Sequence, residues 1–278
     1  MPRRDITVYS KFRQRNTRPS ADGRIMARVS VQQPALGVHL VAMRGDGRNP
    51  LDLELTQELA EALEDLDRSP DCRAVVLASD DRHFCAGATS KFSSGTPRWS
   101  TRDLYDIVPR LLGVDVPIVV ALNGAAVGGG LGLALIGDWV QMASDARAQA
   151  NFTRLGFTPG FALTLLLPER MTGQRATELL MSGRPVDAEE AVRIGLADAL
   201  SDPESLREDA ITRAVEFGTA APLAIRAVKA VRRAHIRRAL PETLTRELEL
   251  QGHLKSTDDY AEGIAAMSER RPPRFLRH

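Results

Sequence analysis

The fold is decided by residues 118–132, which read IVVALNGAAVGGGLG. The first five, Ile118 to Leu122, form a continuous apolar run, which predicts a strand buried on both faces. Asn123-Gly124 then predicts a turn, and the triple glycine at 128–130 predicts the start of a helix. Small residues at such a turn let the backbone adopt positive φ and approach a ligand closely. We therefore expect a strand–turn–helix unit with exposed backbone N–H groups.

A second stretch of this kind lies upstream at residues 74–88, AVVLASDDRHFCAGA. Its apolar start predicts another buried strand, and the turn Ala86-Gly87-Ala88 follows. Two N–H groups, one from each turn, can converge on one oxygen. If that oxygen is a thioester carbonyl, they stabilise the enolate formed on proton removal, and one such donor is typically worth about 10²–10³ in rate. The helix after the second turn adds the positive end of its dipole.

Strand–helix alternation up to about residue 160, followed by mostly helical sequence, predicts an α/β protein with a helical C-terminal part. We expect a basic, flexible arm over 1–24, an α/β core over 25–200 and a helical region over 201–278. The predicted strands are Val29–Val31, 37–41, 74–78 and 118–122, and the predicted helices include 51–67, 103–112, 173–182 and one that starts near Val186. Thr172 suits an N-cap, Gly195 a C-cap, and Pro203, Pro222 and Pro241 the starts of helices.

Composition excludes several classes of protein. The 278 residues are 43% hydrophobic, which is ample for a large core. Lys and Arg number 37 against 36 Asp and Glu, so no net field favours nucleic acid or membrane. Only two cysteines are present, which favours a reducing cytoplasmic setting over a disulfide framework. No apolar run approaches the roughly 20 residues of a membrane span.

Neither glycine turn is specific by itself, because tight packing alone can require either. The triple glycine does not give a dinucleotide-binding G-x-G-x-x-G motif, since the third site is Leu133. No Gly-Lys-Ser/Thr sequence marks a P-loop.

Taken together and in this order, the motifs resemble the enoyl-CoA hydratase/isomerase, or crotonase, superfamily over residues 25–275. The matching segments are Gly47–Leu51, Phe84–Ala88, Val116–Gly130, Asp138, Leu155–Gly160, Thr172-Gly173, Ser182–Arg184, Ala188–Ala191, Ile194–Leu196 and the tail from Asp259 to Phe275. The resemblance implies a crotonase-like ββα-spiral core with a helical C-terminal trimerisation region. It also implies an acyl-CoA ligand, a trimer or a dimer of trimers, and no metal or further cofactor.

The resemblance also implies roles for individual residues. Ala88 and Gly129 would supply the two oxyanion-hole N–H groups. CoA would be contacted at Arg48, Asn49, Ala86 and Arg270. Candidates for an apolar acyl wall are Phe92, Trp99, Leu104, Phe152, Phe157 and Phe161. A plain core role is an equally good interpretation for each of these residues.

The family pattern breaks at the positions that carry its acids. Hydratases of the family place one glutamate at the position of Gly132 and a second at Phe152, and certain isomerases place an aspartate at Gly160. Hydration needs a base for water and an acid for the α-carbon, each typically worth about 10²–10⁴. An oxyanion hole without them binds and polarises a thioester but moves protons poorly.

Other polar residues are weaker candidates for this chemistry. His83 could act as a base beside the first turn, although an edge histidine outside the pocket is the simpler interpretation. Glu169 suits an exposed salt bridge, Asp138 a structural role, and Arg154 an ion pair or a contact to an anionic acyl group. Cys85 is expected to pack rather than to act as a nucleophile.

Three functions stay open from the sequence. The first is an enzyme that acts on an acyl-CoA through an enolate, and the second is a non-catalytic acyl-CoA binder or carrier, which the missing acids favour. The third, an RNA-binding relative, gains little support from the balanced charge.

Overall fold

The computed structural model describes residues 28–45, 47–88 and 100–276. Its strands in chain order are β1 (Val29–Ala35), β2 (Val38–Met43), β3 (Ala74–Ser79), β4 (Ile118–Leu122), β5 (Ala125–Val127), β6 (Trp139–Ala143), β7 (Arg147–Gln149), β8 (Pro185–Asp187) and β9 (Ala199–Ser201). The predicted arm over residues 1–24 lies outside the described residues.

The helices lie mostly on the outside of the sheet and in the C-terminal third. In chain order they are α1 (Leu53–Arg68), α2 (Thr101–Tyr105), α3 (Val108–Gly113), α4 (Gly129–Ala134), α5 (Leu163–Leu166), α6 (Gly173–Ser182), α7 (Ala188–Ile194), α8 (Leu206–Gly218), α9 (Pro222–Leu254) and α10 (Asp258–Glu269). Short 3₁₀ turns cover Asn151–Leu155 and Leu167–Glu169. No helix among the described residues is both long and apolar enough to cross a membrane.

The main sheet has the strand order β1-β2-β3-β4-β6-β9. β1 pairs antiparallel with β2, and every other neighbouring pair is parallel. β3 and β4 are buried along their whole length, as their unbroken apolar runs predict. A second sheet, β5-β7-β8, stands apart from the first. The expected α/β core with a helical C-terminal region is confirmed.

Side-chain and glycine caps define several helix ends, and those at Thr172 and Gly195 are the ones that the sequence predicts. The Asp52 side chain accepts a hydrogen bond from Leu55 N at 2.9 Å and so caps α1. Thr172 caps α6 through Arg175 N, and Gly195 ends α7 with φ of 86°.

Two predicted helices differ in the structure. The helix expected over 103–112 is two helices, α2 and α3, because the chain turns at Asp106-Ile107 and Pro109 starts the second. Pro241 was expected in the first turn of a new helix, and this prediction is wrong: it lies inside the continuous 33-residue α9. Ile236, Leu240 and Leu244 stay buried on one face across the proline, so packing outweighs the lost backbone hydrogen bond.

A buried ion cluster fixes α9 to the main sheet. Asp138 accepts hydrogen bonds from Lys229 Nζ at 2.8 Å, Arg233 Nη2 at 2.9 Å and Ile118 N at 2.8 Å. Burial works to raise the pKa of Asp138, but the charges of Lys229 and Arg233 outweigh it and the pKa is lowered. Burial lowers the pKa of Lys229 to about 8. Asp138 therefore has the structural role expected for it.

Candidate functional site

The two glycine turns lie side by side and are joined by backbone hydrogen bonds. Cys85 N donates to Ala125 O at 3.0 Å, and Val127 N donates to Cys85 O at 3.0 Å. These bonds pair Cys85 with Ala126 in parallel. Ala88 lies three residues after Cys85, and Gly129 lies three residues after Ala126, so the two residues hold corresponding positions in the paired segments.

Each segment contains a glycine with positive φ directly before the residue whose N–H group is a candidate donor to a ligand. Gly87 has φ of 89° and Gly128 has φ of 56°. A Cβ built on Gly87 would lie 2.9 Å from Val127 O, so only glycine fits between the two turns. Within residues 28–45, 47–88 and 100–276, no acceptor is bonded to the amide of Ala88 or of Gly129.

The segment around Arg48 joins the first turn from its other side. Ala86 N donates to Arg48 O at 2.9 Å, and Leu51 N donates to Gly87 O at 3.0 Å. Three segments that are far apart in sequence are therefore tied together through main-chain atoms.

A cavity of about 740 Å³ opens beside this arrangement. Its wall reaches Ala86 and Val127, each two residues before Ala88 and Gly129. Most of its polar lining comes from arginines and amides, contributed by Arg48, Arg147, Gln149, Asn151, Arg154, Arg270 and Arg271. Such a wall suits an anionic ligand, because guanidinium groups make charge-assisted hydrogen bonds to phosphates.

The residues predicted to contact CoA are partly brought together by this cavity. Arg48, Ala86 and Arg270 all line it. Asn49 does not: it is fully buried, and its Nδ2 donates to Ser79 Oγ at 2.6 Å and to His83 O at 3.2 Å. Its contact with CoA stays a prediction, while its observed role is to hold the loop that carries Arg48.

His83 lies on the cavity wall with its Nδ1 buried and no hydrogen-bond partner for that atom in the described part of the chain. Burial lowers the pKa of His83, and the nearby charges of Arg82, Arg147 and Arg48 lower it further. The imidazole is therefore neutral at neutral pH, and it lies on the arginine side of the site.

Phe152 occupies the place of an expected acid and belongs to a row of aromatic rings. Its ring meets Phe157 edge to face at 5.3 Å between centroids, and Phe157 meets Tyr260 in the same way at 5.4 Å. A Cβ built on Gly128 would lie 3.5 Å from Phe152 Cζ. Phe152 and Phe157 thus form one wall beside the second turn, while Phe92 and Trp99 lie outside the described residues.

The space beside Gly132 is filled by Phe161. A Cβ on Gly132 would lie 2.8 Å from Phe161 Cδ1 and 2.9 Å from Phe161 O. Phe161 and Ala162 have φ of 59° and 60°, a conformation that costs a non-glycine residue about 1–3 kcal/mol. A strained segment therefore holds an aromatic ring where a family glutamate would stand.

The space beside Gly160 is also filled. A Cβ there would overlap the Tyr105 hydroxyl oxygen and the Gln251 Nε2 atom. Burial raises the pKa of Tyr105, and the nearby Glu247 adds to the rise, so the phenol stays protonated.

The strained segment is held by α9. Glu247 accepts hydrogen bonds from Ala162 N at 2.9 Å and from Thr164 Oγ1 at 2.5 Å, and Gln251 Nε2 donates to Thr158 O at 3.1 Å. Burial raises the pKa of Glu247, although these donors oppose the rise. We refer to Glu247 and Gln251 as the α9 clamp.

The remaining candidates have ordinary structural surroundings. Glu169 pairs with His235 Nε2 at 2.8 Å near the surface. Arg154 Nε donates to Ser182 O at 3.0 Å at the cavity edge. Burial raises the pKa of Cys85 to about 12, which keeps the thiol protonated. The described residues contain no group of three or more His, Cys, Asp or Glu side chains placed to hold a metal ion.

Comparison with known proteins assigns the chain to a family. The family model described as enoyl-CoA hydratase/isomerase matches residues 35–278. The chain belongs to the enoyl-CoA hydratase/isomerase family. Among its relatives, the (E)-benzylidenesuccinyl-CoA hydratase of Thauera aromatica is 32% identical over 237 residues, which cover 84% of this chain and 92% of that protein.

Solved structures of the enoyl-CoA hydratase/isomerase family confirm the fold expected from the sequence. An enoyl-CoA hydratase/isomerase from Pseudoalteromonas atlantica superposes with a TM-score of 0.80 at 28% identity and covers 90% of this chain and 100% of its own. A carnitinyl-CoA hydratase from Mycobacterium avium gives a TM-score of 0.80 at 26% identity, with 91% and 100% covered.

Sequence reasoning names Phe161 as a candidate for the acyl wall but not its place beside Gly132, and it missed the other residues around the empty acid positions. Tyr105, Glu247 and Gln251 carry no motif, and Arg147 lies in the short strand β7 without one. The only usable signal was the spacing of Glu247 and Gln251, which puts two polar side chains on one face of α9.

Proposed function

We propose that this protein binds acyl-CoA thioesters and polarises the thioester carbonyl between the amides of Ala88 and Gly129. The observation that carries the proposal is the parallel pairing of the two turns at Cys85 and Ala126. It supports a site where two N–H groups approach one oxygen, as an oxyanion hole requires. Ala88 and Gly129 then stabilise the enolate form of the acyl group.

The arginine-lined cavity supports CoA as the part of the ligand that anchors it. CoA carries a diphosphate and a further phosphate, and Arg48 and Arg270 stand on the cavity wall beside Ala86. Charge-assisted hydrogen bonds from guanidinium groups suit these phosphates. No additional cofactor or metal enters the proposal.

Ordinary hydration of an enoyl-CoA is expected to be slow or absent. Gly132, Phe152 and Gly160 provide no carboxylate, and two of these places are filled by Phe161 and by Tyr105 with Gln251. The chemistry open to the site is therefore of the enolate type, with proton transfer limited by the lack of an acid and a base.

A non-catalytic acyl-CoA binder is the second candidate, and the filled acid positions favour it. Binding through the cavity and the two amides needs no proton transfer. Detectable turnover of any acyl-CoA would support the first candidate over this one.

Calorimetry on a matched pair of glycine variants tests the proposal. Gly87→Ala is expected to weaken butyryl-CoA binding at least tenfold, because its Cβ meets Val127 O and displaces Ala88. Gly37→Ala is the control: Gly37 has φ of 75° and lies in the turn between β1 and β2, and a Cβ there meets only side-chain atoms of Arg73. It carries the same backbone strain without the displacement, so its affinity for butyryl-CoA should stay near the parent value.

Two results would contradict the proposal. Equal weakening in both variants would show that backbone strain alone, rather than the Ala88 amide, is responsible. Equal affinity of the parent protein for butyryl-CoA and butyryl-N-acetylcysteamine would show that the nucleotide is not recognised.

A further inference from the structure

Four consecutive residues after α10, Arg270 to Pro273, form one side of the arginine-lined cavity. Arg270 turns the chain away from the helix with φ of 56°. A residue other than glycine keeps this left-handed conformation only where its surroundings hold it. The contacts that hold the segment 270–273 therefore also decide the shape of this side of the cavity.

The carboxylate of Glu262 makes the contacts that hold this segment against α10. Its oxygens accept hydrogen bonds from Arg271 Nη1 at 2.5 Å and Arg271 Nη2 at 2.8 Å, and Oε1 also accepts one from Arg274 N at 2.7 Å. The bonds from Arg271 and from Arg274 N lower the pKa of Glu262 to about 2, so the carboxylate is charged at neutral pH. Glu262 therefore fixes the chain on both sides of the two prolines.

Arg270 and Arg271 are adjacent but differ in their partners. The guanidinium of Arg271 is paired with the carboxylates of Glu262 and Glu269. The side chain of Arg270 makes no hydrogen bond or ion pair within the part of the chain that the structure describes. An arginine engaged by two carboxylates has few donors left for a phosphate, whereas an arginine without such partners keeps all of its donors. Arg271 is therefore suited to fixing the segment, and Arg270 to contacting an anion.

We propose that Glu262 is a positioning residue for CoA, which fixes Arg271 and thereby keeps the Arg270 guanidinium at the cavity wall for a phosphate group. This inference rests on the proposed function and adds a residue on which its recognition of the nucleotide depends. A site that is correctly formed for only a fraction of the time binds its ligand more weakly by that fraction.

The charge of Glu262 makes the inference easy to separate from a simple electrostatic effect. Glu262 is an anion, so its direct effect on a nearby phosphate is repulsive. Its replacement by glutamine also releases Arg271 from one of its two carboxylates. If only charge mattered, Glu262→Gln would therefore strengthen CoA binding, whereas a positioning role predicts that the same change weakens it.

Calorimetry on Glu262→Gln decides between these two signs. We expect the variant to bind butyryl-CoA about 5-fold more weakly than the parent, with no change in its affinity for butyryl-N-acetylcysteamine. Arg270→Met should weaken butyryl-CoA binding about tenfold, because a charged hydrogen bond to phosphate is lost. In the Arg270→Met background, Glu262→Gln should have no further effect, since its contribution acts through Arg270.

Glu216→Gln is the control for loss of an exposed carboxylate from an ion pair. Glu216 in α8 pairs with Arg213 at 2.6 Å, and neither residue lines the cavity. This variant should bind butyryl-CoA like the parent. If circular dichroism shows that Glu262→Gln does not fold, Glu262→Asp decides in its place, because it keeps the charge and shortens the side chain by one methylene.

Two results would overturn the inference while the parent still prefers butyryl-CoA to butyryl-N-acetylcysteamine. The first is unchanged or tighter binding of butyryl-CoA by the deciding variant at position 262. The second is an undiminished loss of affinity when that variant is combined with Arg270→Met. Equal affinity of the parent for the two butyryl thioesters would instead overturn the proposed function, and this inference with it.

Discussion

At Gly132 and Gly160, the space that a side chain would occupy is filled by atoms of neighbouring residues. Phe161 borders the first, and Tyr105 with Gln251 borders the second. Because protein interiors are packed as densely as organic crystals, a side chain added at either position needs its neighbour to move. The absence of carboxylates at positions 132 and 160 therefore reflects the packing around the site as well as the identity of these two residues.

A glutamate at position 132 tests this at the scale of one residue. Gly132→Glu is expected to lower the free energy of unfolding by about 1–3 kcal/mol, because its Cβ overlaps Phe161. Gly132→Glu combined with Phe152→Glu should still fail to hydrate crotonyl-CoA, and the parent should turn over far below about 10 s⁻¹. Urea unfolding and an absorbance assay with crotonyl-CoA measure the two effects.

Gly252→Glu is the matched control for stability. Gly252 also lies in a helix, but a Cβ there meets nothing within 4 Å. This change should leave stability unchanged or raise it by up to about 1 kcal/mol, since glycine disfavours helices. Equal stability of the two glutamate variants would refute the packing argument. A parent rate typical of enzymes would point to a proton-transfer group elsewhere.

At the scale of elements, the parts predictable from sequence are those whose signals are local. The apolar runs of β3 and β4 and the caps of α6 and α7 each lie within a few residues of the element that they define. The uninterrupted course of α9 could not be predicted, because burial of Ile236 and Leu240 against distant segments overrides the local effect of Pro241.

The attachment of α9 to the main sheet gives a prediction at this scale. Lys229→Met is expected to lower the free energy of unfolding by about 1.5–3 kcal/mol, because it removes one of the charged hydrogen-bond donors to the half-buried Asp138 carboxylate. Urea unfolding followed by circular dichroism measures the change.

Arg68→Met provides the comparison for that substitution. Arg68 pairs with Asp65 at 2.8 Å, but both side chains are more than half exposed. Such a surface pair is typically worth about 0–1 kcal/mol. If Lys229→Met costs no more than Arg68→Met, the buried cluster does not hold α9 to the sheet.

At the scale of the whole molecule, α9 carries an apolar strip that the described chain leaves uncovered. Leu223, Val228 and Val231 are 84, 61 and 76% exposed, and Val228 and Val231, three residues apart, share one face of the helix. We expect this strip to be a contact between copies of the chain, as the predicted trimer requires. Val231→Asp should therefore shift the sedimenting species from roughly three times 30.4 kDa toward 30.4 kDa.

Leu36→Asp separates self-association from general surface hydrophobicity. Leu36 is 90% exposed in the turn between β1 and β2, far along the chain from α9. This variant should sediment like the parent at the same micromolar concentration. A parent that already sediments as a monomer would refute the oligomer prediction.

The site as a whole was only partly predictable from sequence. The glycine turns could be found because each is a short continuous stretch of sequence, and the two in this order match a family pattern that neither matches alone. The α9 clamp could not, because Glu247 meets Ala162 across 85 positions of sequence and neither residue belongs to a motif. Contacts of that kind depend on the tertiary packing of α9, which no local pattern encodes.

The ring of Phe161 beside Gly132 also constrains the mutational paths open to this protein. A glutamate at position 132 crowds the phenylalanine at position 161, so the stability cost of the first substitution depends on the residue at the second. The two positions are therefore expected to be epistatic: a smaller residue at 161 should make a glutamate at 132 less costly to accept.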